Sequence, residues 1–303
     1  MANIPSWVYK FLIVLATIIW GFSFVVMKDV VAVLPPAWLL GMRFLFAGAL
    51  LLVILRKRVM RFCSRKVVTY GFILGVLDFT AFWLQTVGLK HTTPGINAFL
   101  TATYCVLVPF AWWLIARKRP TAFNIVAAVV AVCGIWLVSV SSSGETLSIG
   151  FGEAMTLGCA VAFAAHIVAV SKFAQKCDAL VLTVFQFIAE GALGIIFGTA
   201  TETFPGITVF TPEIIGQMLF LAVFASVVAF GIQNVSLAHV PPTQASLLLS
   251  LESVFGVVFS ILLYGEQMTL RLVVGFVLIF AAIVISETLP LKEKPCRRKT
   301  TSS

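Results

Sequence analysis

The chain has 303 residues, 60% of them hydrophobic and only 11% charged, with a mean hydropathy of +1.07; an average soluble domain carries about 25% charged residues. That balance excludes a water-soluble globule and points to an all-α integral membrane protein. The formal charge of +9 then reads as membrane topology and contact with membrane lipid, with no nucleic-acid partner.

A bilayer core of about 30 Å asks for roughly 20 apolar residues per helix. Ten segments meet that requirement, at 8–27, 36–55, 67–88, 95–116, 122–141, 150–171, 179–199, 214–235, 243–264 and 270–288. The first is entered without a basic n-region or a small-residue cleavage site and is read as a retained helix. The links are short and often closed by Pro or Gly (Pro35-Pro36, Pro94-Gly95, Pro241-Pro242), which suits antiparallel neighbours. From Pro290 the Lys/Arg/Ser/Thr content predicts a disordered tail. The six cysteines stand singly with no CxxC spacing, so they are read as reduced structural residues.

The chain repeats itself. Phe82–Pro94, FWLQTVGLKHTTP, returns 148 positions later as Phe230–Pro242, FGIQNVSLAHVPP, with six of thirteen positions identical. The same offset pairs Leu100 with Leu248, Val106 with Val254 and Thr121 with Thr269, and Asp78 with Ser226. At a slightly shorter offset RFLFAGAL from Arg43 aligns with QFIAEGAL from Gln186. The expected units are residues 1–143 and 144–289, followed by a basic tail at 290–303. Five spans per half is an odd number, so the second half enters the membrane in the opposite orientation: two inverted five-helix repeats, a transporter design with the substrate site near the midplane. With the N-terminus inside, 17 of the 21 basic residues fall on the inner side, which predicts both termini cytoplasmic. His91 then faces outside and His239 inside, both at helix ends where capping is the simpler role.

Polar and ionisable residues within apolar spans need an internal partner or a wet cavity. Asp78, Phe82 and Gln85 share one face of the third span. Asn97, Thr101 and Tyr104 share one in the fourth, Gln186 and Glu190 in the seventh, and Gln244 and Glu252 in the ninth. Arg43 in the second span matches Gln186. Trp20 and Ser23 of the first and His166 of the sixth complete the expected lining of a substrate site. The bland alternative makes Arg43 one half of a structural ion pair with Asp78 or Glu252. A buried carboxylate that exchanges a proton between the two sides would add proton coupling; one held by internal hydrogen bonds would not. The fifth and tenth spans carry small residues (Ala127, Ala131, Gly134; Gly275, Ala282), which suit close packing or a homodimer interface. Pro109 in the fourth span is expected to kink it, as a gating hinge or a static bend. No GxxxxGK[ST] stretch or other cofactor motif is present.

WGFSFVVMK in the first span, RFLFAG in the second, AFLTATYCVLVPFAWWLIARKRPT at the fourth-to-fifth junction and LLLSLESVFGVVFSILLYGEQMT at the ninth-to-tenth junction resemble the drug/metabolite transporter superfamily, specifically its ten-helix EamA-type permeases, over about residues 10–288. The resemblance implies an inverted 5+5 fold, alternating access and export of amino acids or other small metabolites across the plasma membrane, without a cofactor. Where the family pattern has Pro after the ninth-span Glu, Ser253 stands here, which predicts a straighter ninth helix. Two other readings stay open from the residues alone: a passive channel or lipid scramblase, and a membrane-embedded enzyme, for which no HExxH or comparable couple is present.

Overall fold

The computed structural model describes residues 5–117, 119–139, 149–174, 176–237 and 248–288, and these are nearly all helical. The expected division at 143/144, Gln244, His239 and the tail lie outside the described residues. Seven helices among those described are long and apolar enough to cross a membrane, and three shorter apolar helices, Ala122–Val138, Leu251–Tyr264 and Leu270–Ser286, occupy the remaining predicted spans.

In chain order the helices are α1 Ser6–Val33, α2 Pro36–Ile54, α3 Arg56–Phe62, α4 Arg65–His91, α5 Pro94–Ala102, α6 Tyr104–Ala116, α7 Ala122–Ser139, α8 Phe151–Phe173, α9 Ala179–Thr201, α10 Pro212–Phe220, α11 Ala229–Leu237, α12 Leu251–Phe259 and α13 Leu270–Thr288. Proline at the first turn starts α2, α5 and α10, where its missing N–H costs nothing. Ser64, Thr93, Asp178 and Thr211 cap α4, α5, α9 and α10 through their side-chain oxygens, satisfying amides that have no helical partner.

Three departures from the expected spans have local causes. The link after the second span coils into α3, whose Arg56, Lys57, Arg58 and Arg61 are exposed while Val59 is buried. The fourth span breaks at Thr103, not at Pro109, which stays inside α6. The Thr103 hydroxyl donates to Leu100 O at 2.6 Å and its amide to the same carbonyl at 3.3 Å, a tightened turn in which the side chain competes with the helix ladder. The ninth span is not a straight helix either. It turns at Ser250, where Ser253 Oγ donates to Ser250 O at 2.8 Å. Thr103 (φ −61°, ψ −14°) and Ser250 (φ −63°, ψ −15°) have almost the same backbone. In the eighth span, Leu221–Val228 widens into a π-helix between α10 and α11, and a second π turn, Ser260–Tyr264, follows α12.

Helix contacts come in repeat-related sets. α4 packs on α8 as α1 packs on α11; α4 packs on α9 as α2 packs on the π segment; α8 packs on α5 and α6 as α1 packs on α12. α2 with α9, and α7 with α13, are their own counterparts. At the α2–α9 crossing a Cβ on Gly48 would lie 2.9 Å from the Ile188 side chain, and one on Gly191 would meet the backbone nitrogen of Leu45. Gly48 and Gly191 are repeat mates, as are Leu45 and Ile188. The small-residue faces of α7 and α13 meet each other inside the chain, with Ala127, Ala131, Ile279 and Ala282 buried and Gly134 against Gly275, so packing is what they do here.

The repeat also governs helix ends. Arg117 (φ 57°) and Gly265 (φ 71°) hold matching left-handed positions. After them Thr121 Oγ1 accepts from Asn124 N, and its mate Thr269 Oγ1 accepts from Leu272 N.

Candidate functional site

The centre of the molecule is polar and closed. Arg43, Asp78, Gln186 and Glu190 come from α2, α4 and α9, and each is at most 4% exposed. Gln186 Nε2 donates to Asp78 Oδ2 at 2.6 Å, and His166 Nδ1 lies 3.5 Å from Asp78 Oδ1. Arg43 Nε donates to Ser226 Oγ at 2.9 Å and Nη1 to Met27 Sδ at 3.3 Å. Its guanidinium lies against the rings of Phe44 (4.7 Å) and Phe82 (5.2 Å). Arg43 therefore hydrogen-bonds neither Asp78 nor Glu252, and the alternative of a structural ion pair with either does not form. Both carboxylate oxygens of Glu190 and Nε2 of His166 are buried with no hydrogen-bond partner.

These contacts obey the repeat. Arg43 matches Gln186 and Ser226 matches Asp78, so Arg43–Ser226 and Gln186–Asp78 are one contact made twice with different chemistry. The 143-residue offset that relates Arg43 to Gln186 also relates Trp20 to Phe163 and Ser23 to His166. A row of rings follows from it: Trp20 meets Phe230 at 5.5 Å and Phe163 meets Phe82 at 5.1 Å, both edge-on. Phe187 meets Phe230 and Phe44 meets Phe82 at 5.3 and 5.2 Å, and Phe44 and Phe187 close the row at 5.3 Å. The row walls the polar centre with rings from both halves. Trp20 Nε1 donates to Ala225 O at 2.8 Å, in the π segment, where the widened turn also lets Ser226 Oγ reach Leu221 O. π segments recur at functional sites because they re-aim a side chain; this one presents Ser226 to Arg43.

The other expected residues form two further groups. Gln85 Nε2 donates to Thr101 Oγ1 at 3.2 Å, and Asn97 Nδ2 to Gln85 O and to Thr156 Oγ1. Thr101 also meets Cys159 Sγ at 3.6 Å. Tyr104 and Glu252 are both buried, immediately after the breaks at Thr103 and Ser250. Ser23 is turned back onto Trp20 O of its own helix. Ser226, Met27, Thr156, Cys159 and the rings other than Trp20, Phe82 and Tyr104 were not expected. Phe44 and Phe187 could have been found, since each directly follows a matched polar residue in RF and QF.

The buried centre therefore brings a guanidinium, two carboxyl groups and a row of rings together away from water. A model of the EamA-like transporter family matches residues 7–140 and again residues 150–288. The chain belongs to the EamA-like transporter family. The starts of the two EamA-like matches are offset as Arg43 is from Gln186, and their ends as Phe82 is from Phe230. Among similar proteins are an uncharacterized transporter of Archaeoglobus fulgidus (29% identical, covering 89% of this chain and 83% of the relative) and the uncharacterized transporter YvbV of Bacillus subtilis (26% identical, 95% and 94%). Protein PagO of Salmonella typhimurium is 26% identical over 94% of this chain and 95% of its own length. A solved crystal structure shares the fold with a TM-score of 0.67 and 17% identity, covering 94% of this chain and 99% of that one. This EamA-like chain is a multi-pass membrane transporter of the drug/metabolite type, not an enzyme.

Proposed function

We propose that the chain is a secondary active exporter of amino acids or related small zwitterionic metabolites, working by alternating access in the plasma membrane with both termini cytoplasmic. Its working units are two inverted five-helix repeats, residues 1–143 and 144–289, which rock about the polar centre. The observation that carries this reading is the repeat-related pair Arg43–Ser226 and Gln186–Asp78. A guanidinium on one side of the pseudo-symmetric centre and Asp78 with Glu190 on the other match the carboxylate and ammonium of a zwitterion. Glu190 is also the candidate proton site, because its buried oxygens have no protein donor. The breaks at Thr103 and Ser250 support the same reading, since irregular backbone at membrane depth is tolerated where it lines a cavity. Helices 5 and 10 of the predicted set (α7 and α13) remain the candidate homodimer face through their outer, lipid-facing residues Val129, Val132 and Val277.

The test is counterflow of labelled amino acids in proteoliposomes, comparing the native chain with Arg43→Ala and Glu190→Gln. Saturable counterflow lost in Arg43→Ala is the expected result. Non-saturable flux would favour a channel or scramblase, and undiminished counterflow in both variants would remove the site assignment.

A further inference from the structure

The geometry points to a binding site for one anionic phospholipid in the outer crevice between α4 and α9, an assignment independent of what the central site carries. Two depressions lie along this crevice, the first reaching Val67 and the second starting from its neighbour in sequence, Val68. The first, about 420 Å³, lies at the basic end of the molecule between the α3–α4 and α8–α9 links and is lined by Ser64, Lys66 and Lys176, with Phe62 and Val67 also on its wall. The second, about 240 Å³, begins at Val68 and Phe72 of α4 and Phe185 and Ile188 of α9 and runs to Ile196, with only apolar residues along it. A polar socket at a helix end followed along the same two helices by an apolar groove on the lipid-facing surface suits an amphiphile.

Charge sets the sign of the headgroup. Asp178 is the one acidic residue of the socket, and it is already used: Arg58 Nη2 holds Oδ2 at 2.8 Å, while Oδ1 caps α9 through the amides of Leu180 and Val181. Lys66 and Lys176 are exposed and line the socket, whose one carboxylate is engaged by Arg58; the Lys66 ammonium rests 5.7 Å over the Tyr70 ring. Beside them α3 carries four exposed cations with Met60 and Phe62 also exposed, the pattern of a helix lying in the membrane interface. A basic pocket between transmembrane helices at that level takes a lipid phosphate. Free phosphate would satisfy the two lysines and leave the groove empty. The occupant is therefore a phosphodiester headgroup on the lysines with one acyl chain along Val68, Phe72 and Ile188.

The experiment is native mass spectrometry of the full chain in mild detergent with phosphatidylglycerol, phosphatidylcholine or inorganic phosphate added. The expected result is a single retained phosphatidylglycerol, little phosphatidylcholine, and no displacement by millimolar phosphate. Lys66→Gln/Lys176→Gln should retain it about thirty-fold more weakly, the effect of removing two cations near an anionic headgroup. Lys57→Gln/Arg61→Gln, which removes the same charge outside the socket, should leave retention within about threefold. Ala192→Phe, which fills the groove without touching charge, should weaken phosphatidylglycerol while melting as the native chain does. Equal loss in the two charge variants would show diffuse surface attraction and overturn the site. So would equal retention of both lipids, or displacement by phosphate alone.

Discussion

Arg43 donates to Ser226 at 2.9 Å across 183 positions of sequence, and Gln186 repeats that bond to Asp78 at 2.6 Å. Each half of the repeat supplies one donor and one acceptor, and each donor finds its acceptor in the other half. The two are charged unequally: the first half's donor, Arg43, is a cation, and the same half's acceptor, Asp78, faces the neutral donor Gln186. The guanidinium and the carboxylate are thus held apart in the closed molecule, each on a neutral partner.

Ser226→Asp should therefore bring the two charges together and trap the closed state. Expected outcomes are a higher melting temperature in detergent and a slower counterflow rate than the native chain. Ser226→Ala should lose only a membrane-buried hydrogen bond, about 0.6 kcal/mol on average and at most about 1.7, with transport retained. A lowered melting temperature in Ser226→Asp would contradict the partition of charge.

Asp78→Asn removes the charge that faces His166 and leaves a group of the same size for Gln186. The expected outcome is a transport loss of at least about tenfold with a melting temperature close to native, since the packing is unchanged. Steady-state counterflow at several substrate concentrations checks it.

The α2–α9 crossing should tolerate one glycine change better than the other. A Cβ on Gly48 meets Ile188 Cγ1 at 2.9 Å and the Ile188 amide nitrogen at 3.0 Å, whereas one on Gly191 comes closer still to the amide nitrogen of Leu45. Gly191→Ala is expected to cost about 1–3 kcal/mol by overpacking, and Gly48→Ala less. Unfolding of the two variants in mixed micelles measures the difference.

The turn between α4 and α5 is clamped by opposite charges. Lys28 Nζ donates to Leu89 O and Thr92 O, both at 2.7 Å, and the Glu266 carboxylate accepts from Thr93 Oγ1, Gly95 N and Ser260 Oγ. A carboxylate on the first turn of α5 opposes the helix dipole, as a cation does at the last carbonyls of α4. Glu266→Gln should weaken three charge-assisted bonds and let this face open more often. In a chain whose only cysteine is the buried Cys159, that thiol should then react faster with a maleimide; an unchanged rate would deny the clamp a gating role.

Much of this was legible in the sequence, and the reason is periodicity. Span lengths, the 148-residue offset and the polar faces of Asp78, Asn97 and Gln186 follow from one-dimensional spacing; Asp78 and Gln186 meet, while Asn97 joins Gln85 and Thr156 in a separate group. The breaks at Thr103 and Ser250 were not legible, because Pro109 carries the stronger local signal while a hydroxyl's return to the carbonyl three residues back depends on packing. Ser226 was visible only as the missing mate of Asp78, since nothing in LAVFASVV announces a π segment. Glu266 reads as a surface turn residue until Gly95, far away in sequence, supplies its amide.

Alternating access requires the two halves to rock about the Arg43–Ser226 and Gln186–Asp78 centre. The most direct test is electron–electron resonance between spin labels on a cysteine-free chain, with one pair at Lys90 and Glu213 beside the clamped turn and one at Arg119 and Lys176 on the basic face. A transported amino acid should shift the two distance distributions in opposite directions, one face widening as the other narrows. Distances that stay fixed at both faces, or that widen together, would contradict alternating access.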